Sequence, residues 1–236
     1  GVSEPNGAPG MGGMCLYFQG MVGGLMTQLH TTVSHRNGVD KYKEASFEKA
    51  QALGENLAVL TVNTLRGTDV FRCESPRVGV AAKTIYAPLA GLFKYAISLG
   101  LVHPGVFWRE GGIAARSEVD VVRVGDLEIA TVPGELYPEI ADGGVEAKPG
   151  RDFDIQAVEV PPLRKEMHGK VNMIFGLAND EIGYILPKSQ WDAEPPYIYD
   201  NESQYGEENS GGPEVAPVIH REVLALLRRL EEAWPQ

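Results

Sequence analysis

An α+β fold (mixed α/β), with a sheet-rich core flanked by helices, is predicted by three observations. Two segments, Ser46 to Leu65 and Val215 to Trp234, place apolar residues three and four apart, the period of a helix face. Val119 to Val132 and Val171 to Phe175 have strand character. Strands and helices then follow one another in irregular order, with no internal repeat and no obvious linker. The 236 residues, 43% of them hydrophobic, are enough for one large domain or a domain with appendages.

Taken in order, residues 1–13 read as a flexible Gly/Pro-rich lead-in, without an initiator Met or a signal peptide. Met14 to Phe18 is predicted to be a buried strand. Within it Leu16 to Gly20 reads LYFQG, the end of a common engineered protease site, but Met14-Cys15 do not match that site and the segment reads as natural. Gly20-Met21-Val22-Gly23-Gly24 implies a tight turn or a close backbone approach. Thr31 to Lys43 is polar and loop-like. The segment from Ser46 carries Ala50, Leu53, Leu57 and Leu60 at the spacing of an amphipathic helix, and Gly67 stands at its C-terminal cap.

Val70 to Ala82 is strand-like with a break at Pro76, and Leu89 to Leu101 is a short helix bounded by Pro88 and Pro104. Val119 to Val132 forms a hairpin turning at Val124-Gly125-Asp126. A short helix through Ile140 begins near Glu135, Gly143 to Arg151 is a loop, and Ile155 to Val160 and Val171 to Phe175 are further strands. Pro187 to Pro213 is a long Tyr-, Asp-, Glu-, Gly- and Pro-rich segment of the kind that carries function. The closing helix presents Ile219, Val223, Leu226 and Leu230 on one face.

A net charge of -11 argues against nucleic-acid and anionic-membrane partners, which need clustered Lys and Arg. No apolar run approaches the roughly 20 residues that span a bilayer. Cys15 and Cys73 are the only thiols and lack zinc-site spacing, so they form either a pair or two buried free thiols. There is no phosphate loop, dinucleotide fingerprint or GxSxG elbow.

Two strand ends carry the candidate chemistry. Leu127 to Val132 runs into Pro133-Gly134-Glu135, and Val171 to Phe175 runs into Gly176-Leu177-Ala178-Asn179-Asp180-Glu181-Ile182-Gly183-Tyr184. A Glu in such a turn serves as a metal ligand, as a base, or as a stabiliser of a helix start. Tyr184 is either a half-buried strand residue whose hydroxyl finds a partner or a tyrosinate ligand. Asp180 and Glu181 would point to opposite sides of an extended chain. His30 and His35 have neither helical nor strand metal spacing and read as solvated. His103 and His220 read as structural, and His168 as a loop residue with no visible partner.

These segments together resemble the neutral/alkaline, non-lysosomal ceramidase family. Ala130 to Glu135 is similar to that family's strand ending in a PGE turn. Gly176-Leu177-Ala178-Asn179 with Tyr184 and Ile185-Leu186-Pro187 is similar to its GLxN and YxxT strand and loop. Tyr205-Gly206-Glu207-Glu208-Asn209-Ser210-Gly211-Gly212-Pro213 looks like its Tyr-Glu-rich segment. Phe18 to Gly24 occupies the place of the strand and glycine turn that carries the serine. The matches keep family order over roughly residues 14 to 230.

The resemblance implies a zinc-dependent hydrolase of an amide or ester, with a small-molecule or lipid substrate and an extracellular or periplasmic location. It assigns Glu135 and Tyr184 as zinc ligands, beside which Asn179 or Asp180 is a candidate to orient water or substrate. The family's two His ligands lie upstream of the serine turn and none of the five histidines here matches them. Residues 14–236 therefore read as the C-terminal part of a catalytic domain, whose upstream half is an expected partner, possibly on another chain. The serine motif Gly-Asp-x-Ser-Pro appears as Gly23-Gly24-Leu25-Met26-Thr27, with Met26 at the serine position and Thr27 the neighbouring hydroxyl. A non-catalytic binding protein on the same scaffold is the alternative expectation.

Overall fold

The structure, a computed structural model, describes residues 14–24, 28, 30–68, 70, 73–91, 95, 99, 106–109, 112–198 and 201–234. Helices and mixed sheets give the predicted α+β class. The chain divides into two compact units: the described residues of 14–17 and 25–74 form one, those of 18–24 and 75–234 the other.

In the smaller unit, β1 (Val33–Ser34) and β2 (Lys41–Tyr42) form an antiparallel pair. Asn37 turns the hairpin: its Oδ1 accepts from the Val39 and Asp40 amides. Helix α1 (Phe47–Arg66) starts at Ser46, whose Oγ accepts from the Lys49 amide at 3.1 Å. Lys49 is buried and its Nζ donates to the Gln28 and Lys43 carbonyls at 2.6 and 2.7 Å. The face expected to be buried is not: Leu53, Leu57 and Leu60 are 40%, 51% and 63% exposed. The helix is instead held by its polar side, where Glu55 pairs with His35 and Arg36 and where Lys49 caps loop carbonyls. His35 is thus a bonded residue, not a solvated one.

The larger unit is built on a five-stranded sheet in the order β3-β5-β6-β8, with β4 paired to the start of β5. The strands are β3 (Val78–Pro88), β4 (Val106–Arg109), β5 (Gly112–Val124), β6 (Leu127–Thr131) and β8 (Val171–Phe175). The β5–β6 hairpin turns at Gly125 as expected, and β6 pairs with β8 in parallel. Alternate residues of β5, among them Ala115, Val119 and Val121, point into the core. Against that core packs α4 (Val215–Ala233) through Ile219, Val223, Leu226, Leu227 and Leu230. A short helix α2 (Pro138–Asp142) and a one-turn helix α3 (Tyr205–Glu208) complete the unit.

Several expectations fail for identifiable reasons. Met14 to Phe18 is not a strand, and Met14, Leu16, Tyr17 and Phe18 are all more than half exposed; Phe18 stacks on Phe175 with ring centroids 4.5 Å apart. Ile155 to Val160 forms no strand because Val158 and Val160 face solvent, and Glu159 is tied instead to the Lys188 amide. The strand assigned to Val70 to Ala82 starts later, at Val78. The Leu89 to Leu101 helix falls mostly outside the described residues. Cys15 and Cys73 are both exposed and free, neither paired nor buried. Among the described residues no helix is long and apolar enough to cross a membrane.

Candidate functional site

Past β6 the chain crosses beneath the loop that follows β8, and glycine permits the crossing. Val132 donates to Phe175 O, Leu177 to Gly134 O, Ile182 to Pro133 O and Glu135 to Gly183 O. A Cβ on Gly134 would run into the Gly183 carbonyl, and one on Gly183 into the Asn209 carbonyl. Gly183 also has φ +88, a conformation other residues rarely adopt. The glycine turn near the start of this unit joins the same crossing. Gly23 donates to Leu136 O at 3.0 Å, and a side chain there would strike the Glu135 carbonyl.

This packing makes two short parallel strands, β7 (Glu135–Leu136) and β9 (Tyr184–Ile185), with Glu135 opposite Tyr184. Glu135 therefore begins a strand, not the helix expected there; α2 begins at Pro138. Tyr184 is 5% exposed and its phenol lies close enough to the Glu135 carboxylate to feel its charge. Its ring sits edge-on to Tyr137 at 6.3 Å and to Tyr205 at 5.7 Å. Burial, reinforced by the Glu135 charge, pushes the Tyr184 phenol up to about 12. Burial also raises the Tyr137 phenol, with Glu207 adding to it. The second carboxylate oxygen of Glu135, Oε2, is buried without a hydrogen-bond partner. An orphaned carboxylate oxygen beside a phenol is an acceptor arrangement that a cation would complete.

Glu181 belongs to the same neighbourhood. Its Oε1 accepts from the Gly183 amide at 2.8 Å, and its carboxyl is raised by burial and by the charges of Glu135 and Asp180. Asn179 and Asp180 are differently engaged. Asn179, at φ 71, donates from Nδ2 to Asp120 Oδ2 at 2.7 Å and to Thr131 Oγ1 at 3.3 Å, pinning the loop to the sheet. Asp180 accepts from the Glu181 amide on a turned, not extended, loop; both residues are exposed overall, and only the Glu181 carboxyl end is partly desolvated. Asn179 and Asp180 line a separate cleft of about 310 Å³ with Arg116, Ser117 and Glu118. Thr27 and Met26 lie outside the described residues.

Sequence reading missed Tyr137, although it stands two residues past Glu135, the same-side spacing of an extended chain. It also missed Glu207, buried on the one-turn helix α3.

The donors suit a metal in kind, since zinc accepts carboxylate and phenolate oxygen, but two donors do not close a four-coordinate site. Among the described residues no three His, Cys, Asp or Glu side chains are grouped to hold a metal. The described histidines are occupied or remote in role: His35 pairs with Glu55, and His220 is buried with Nε2 2.8 Å from Pro161 O. His168 contributes its backbone amide to Glu128, His30 is exposed, and His103 lies outside the described residues.

No protein-family model matches the chain, and no curated protein matches it. Among solved structures the chain is similar to the neutral ceramidase of Pseudomonas aeruginosa, with a TM-score of 0.51 and 12% identity. The match covers 86% of this chain and 36% of that one, so the chain spans little more than a third of its length. At this identity the likeness is one of fold: the chain is distantly related in structure to part of a neutral ceramidase.

Proposed function

We propose that the chain is the C-terminal part of a ceramidase-like catalytic domain that hydrolyses an amide or ester bond with zinc. The observation that most supports this reading is the pairing of Glu135 with Tyr184 on adjacent parallel strands, with Glu135 Oε2 buried and unpartnered. Glu135 and Tyr184 would be two of the zinc ligands. Two histidines from the upstream half of the domain, on this polypeptide or another, would supply the rest. When bound, zinc lowers the pKa of water toward ~7 and polarises a carbonyl.

The chain's own residues then have distinct tasks. Tyr184 would hold the metal through its phenol oxygen, and its raised pKa of about 12 keeps it a neutral phenol at ordinary pH without one. Glu181, fixed by the Gly183 amide, would receive protons near the Glu135 carboxylate. Asn179 and Asp180, lining their cleft, are proposed to orient water or substrate, and Thr27 is a candidate hydroxyl at the glycine turn. Residues 187–213 would form a wall for an amide- or ester-linked small molecule or lipid.

One observation favours a second reading, in which the scaffold binds without catalysis. Met26 and Gly24 stand where the resembling family has serine and aspartate. A panel of amide and ester substrates, assayed with zinc and with chelator, separates the two. Chelator-sensitive turnover supports the hydrolase, whereas saturable binding with no turnover supports the binding protein.

A further inference from the structure

Pairing in the larger sheet sorts its residues into two faces. Ala81, Val121, Ala130 and Ile174 align across four strands on the core side, against which α4 packs. On the other side Val80, Val122, Ile129 and Met173 align in the same way. The row beside it, from Val78 through Val124 and Leu127 to Val171, is aliphatic as well. A sheet face left to water carries polar residues, as this one does further along, where Thr84 pairs with Glu118 and Tyr86 with Arg116. Val78 and Val80 are each 62% exposed and Met173 is 42% exposed. Two unbroken aliphatic rows on four strands are the composition of a covered face.

Area and charge select what covers it. Burying both rows would hide on the order of 500 Å² per side, short of the ~800 Å² per partner of a standard specific interface. Two copies of the chain, each with a net charge of -11, would also repel. The remainder of a domain is not limited to that area, because it meets the rows and the surface beyond them together. The next row leads toward the candidate site. It holds Asp120 and Thr131, which Asn179 grips, and Phe175, on which Phe18 stacks. The loop that Asn179 pins there runs on to Tyr184.

We infer that the two aliphatic rows are where the upstream half of the catalytic domain docks, through an uncharged aliphatic face of its own. The existence of that half rests on the proposed function, and its place on this sheet rests on the pairing register. A body seated on the rows and extended along the strands reaches the loop that carries Tyr184. That is where the proposed function requires further ligands.

The test is peroxide oxidation of Met173, read by peptide mass spectrometry. It is run on this chain alone and on the intact protein, complete with the polypeptide that finishes the domain. The chain alone should be monomeric by light scattering and should oxidise at Met173 within about fivefold of a free methionyl peptide. The intact protein should oxidise there more slowly than the chain alone, by about tenfold or more. Val80→Glu in the intact protein should restore the fast rate, while Val80→Ile should keep the slow one. Should Val80→Glu fail to fold, the two unaltered proteins still decide. Fast oxidation in both proteins overturns the inference. So does slow oxidation in the chain alone, whether its own residues or a second copy provide the cover. A slow rate unmoved by Val80→Glu overturns it too. Zinc measured in the same samples keeps the two proposals apart. Slow oxidation without zinc leaves the docking face standing and removes the metal site, and fast oxidation with zinc does the reverse.

Discussion

Gly183 is the residue on which the candidate site turns. Its carbonyl receives the Glu135 amide, its own amide holds Glu181, and it directly precedes Tyr184. A methyl group there meets the Asn209 carbonyl and also forces a side chain into φ +88. Gly183→Ala should therefore destabilise the protein by about 1–3 kcal/mol, read by chemical denaturation. An unchanged midpoint would mean that the crossing relaxes without cost. Glu207 makes the second prediction at this scale. Its folded pKa, about 7, lies above its ordinary value of 4.5. The native state therefore holds the proton more tightly than the unfolded chain does. That contribution is complete below about pH 4.5 and is lost as pH rises through about 7. Glu207→Gln should remove this slope and stabilise the protein near pH 8 by roughly 1–3 kcal/mol. Parallel pH–stability curves for the two proteins would contradict the assignment. The PGE turn and Tyr184 were legible as candidates because Gly and Pro punctuate them. Their face-to-face register was not, since it depends on parallel pairing between segments about 50 residues apart.

At the scale of elements, the two long helices share a period but differ in what they bury. The face of α4 with Ile219, Val223, Leu226 and Leu230 meets the sheet, as its spacing predicts. The equivalent stripe on α1 stays exposed, because the helix is held by buried Lys49 and Ala52 in its first turns and by the ion pair of Glu55 on the side away from the stripe. Periodicity specifies a face without specifying its partner, which is why one reading held and the other did not. The contrast is measurable. Ile219→Ala, at a fully buried position, should cost about 2–5 kcal/mol of stability, whereas Leu57→Ala should stay within about 0.5 kcal/mol. Similar losses at both positions in denaturant titrations would show that the α1 face is covered in solution. The short strands β7 and β9 mark the other limit of sequence reading. Two residues each give no alternating pattern, so the element that holds the site leaves no periodic signal.

At the scale of the molecule, the α+β class was legible from interleaved periods, and the order of the motifs points to a ceramidase-like scaffold, in keeping with the distant likeness in fold. In the proposed function the pair of Glu135 and Tyr184 would be one half of a coordination shell, and the chain spans 36% of the neutral ceramidase it resembles. Both facts are accounted for if the remaining ligands come from the upstream half of the domain. The most direct measurement is the metal content of the intact protein, complete with the polypeptide that finishes the domain, by elemental mass spectrometry alongside Glu135→Ala. About one zinc per subunit is expected in the unaltered protein, falling by about tenfold or more in the variant. Zinc that is absent from the unaltered protein, or retained in full by Glu135→Ala, would contradict the assignment.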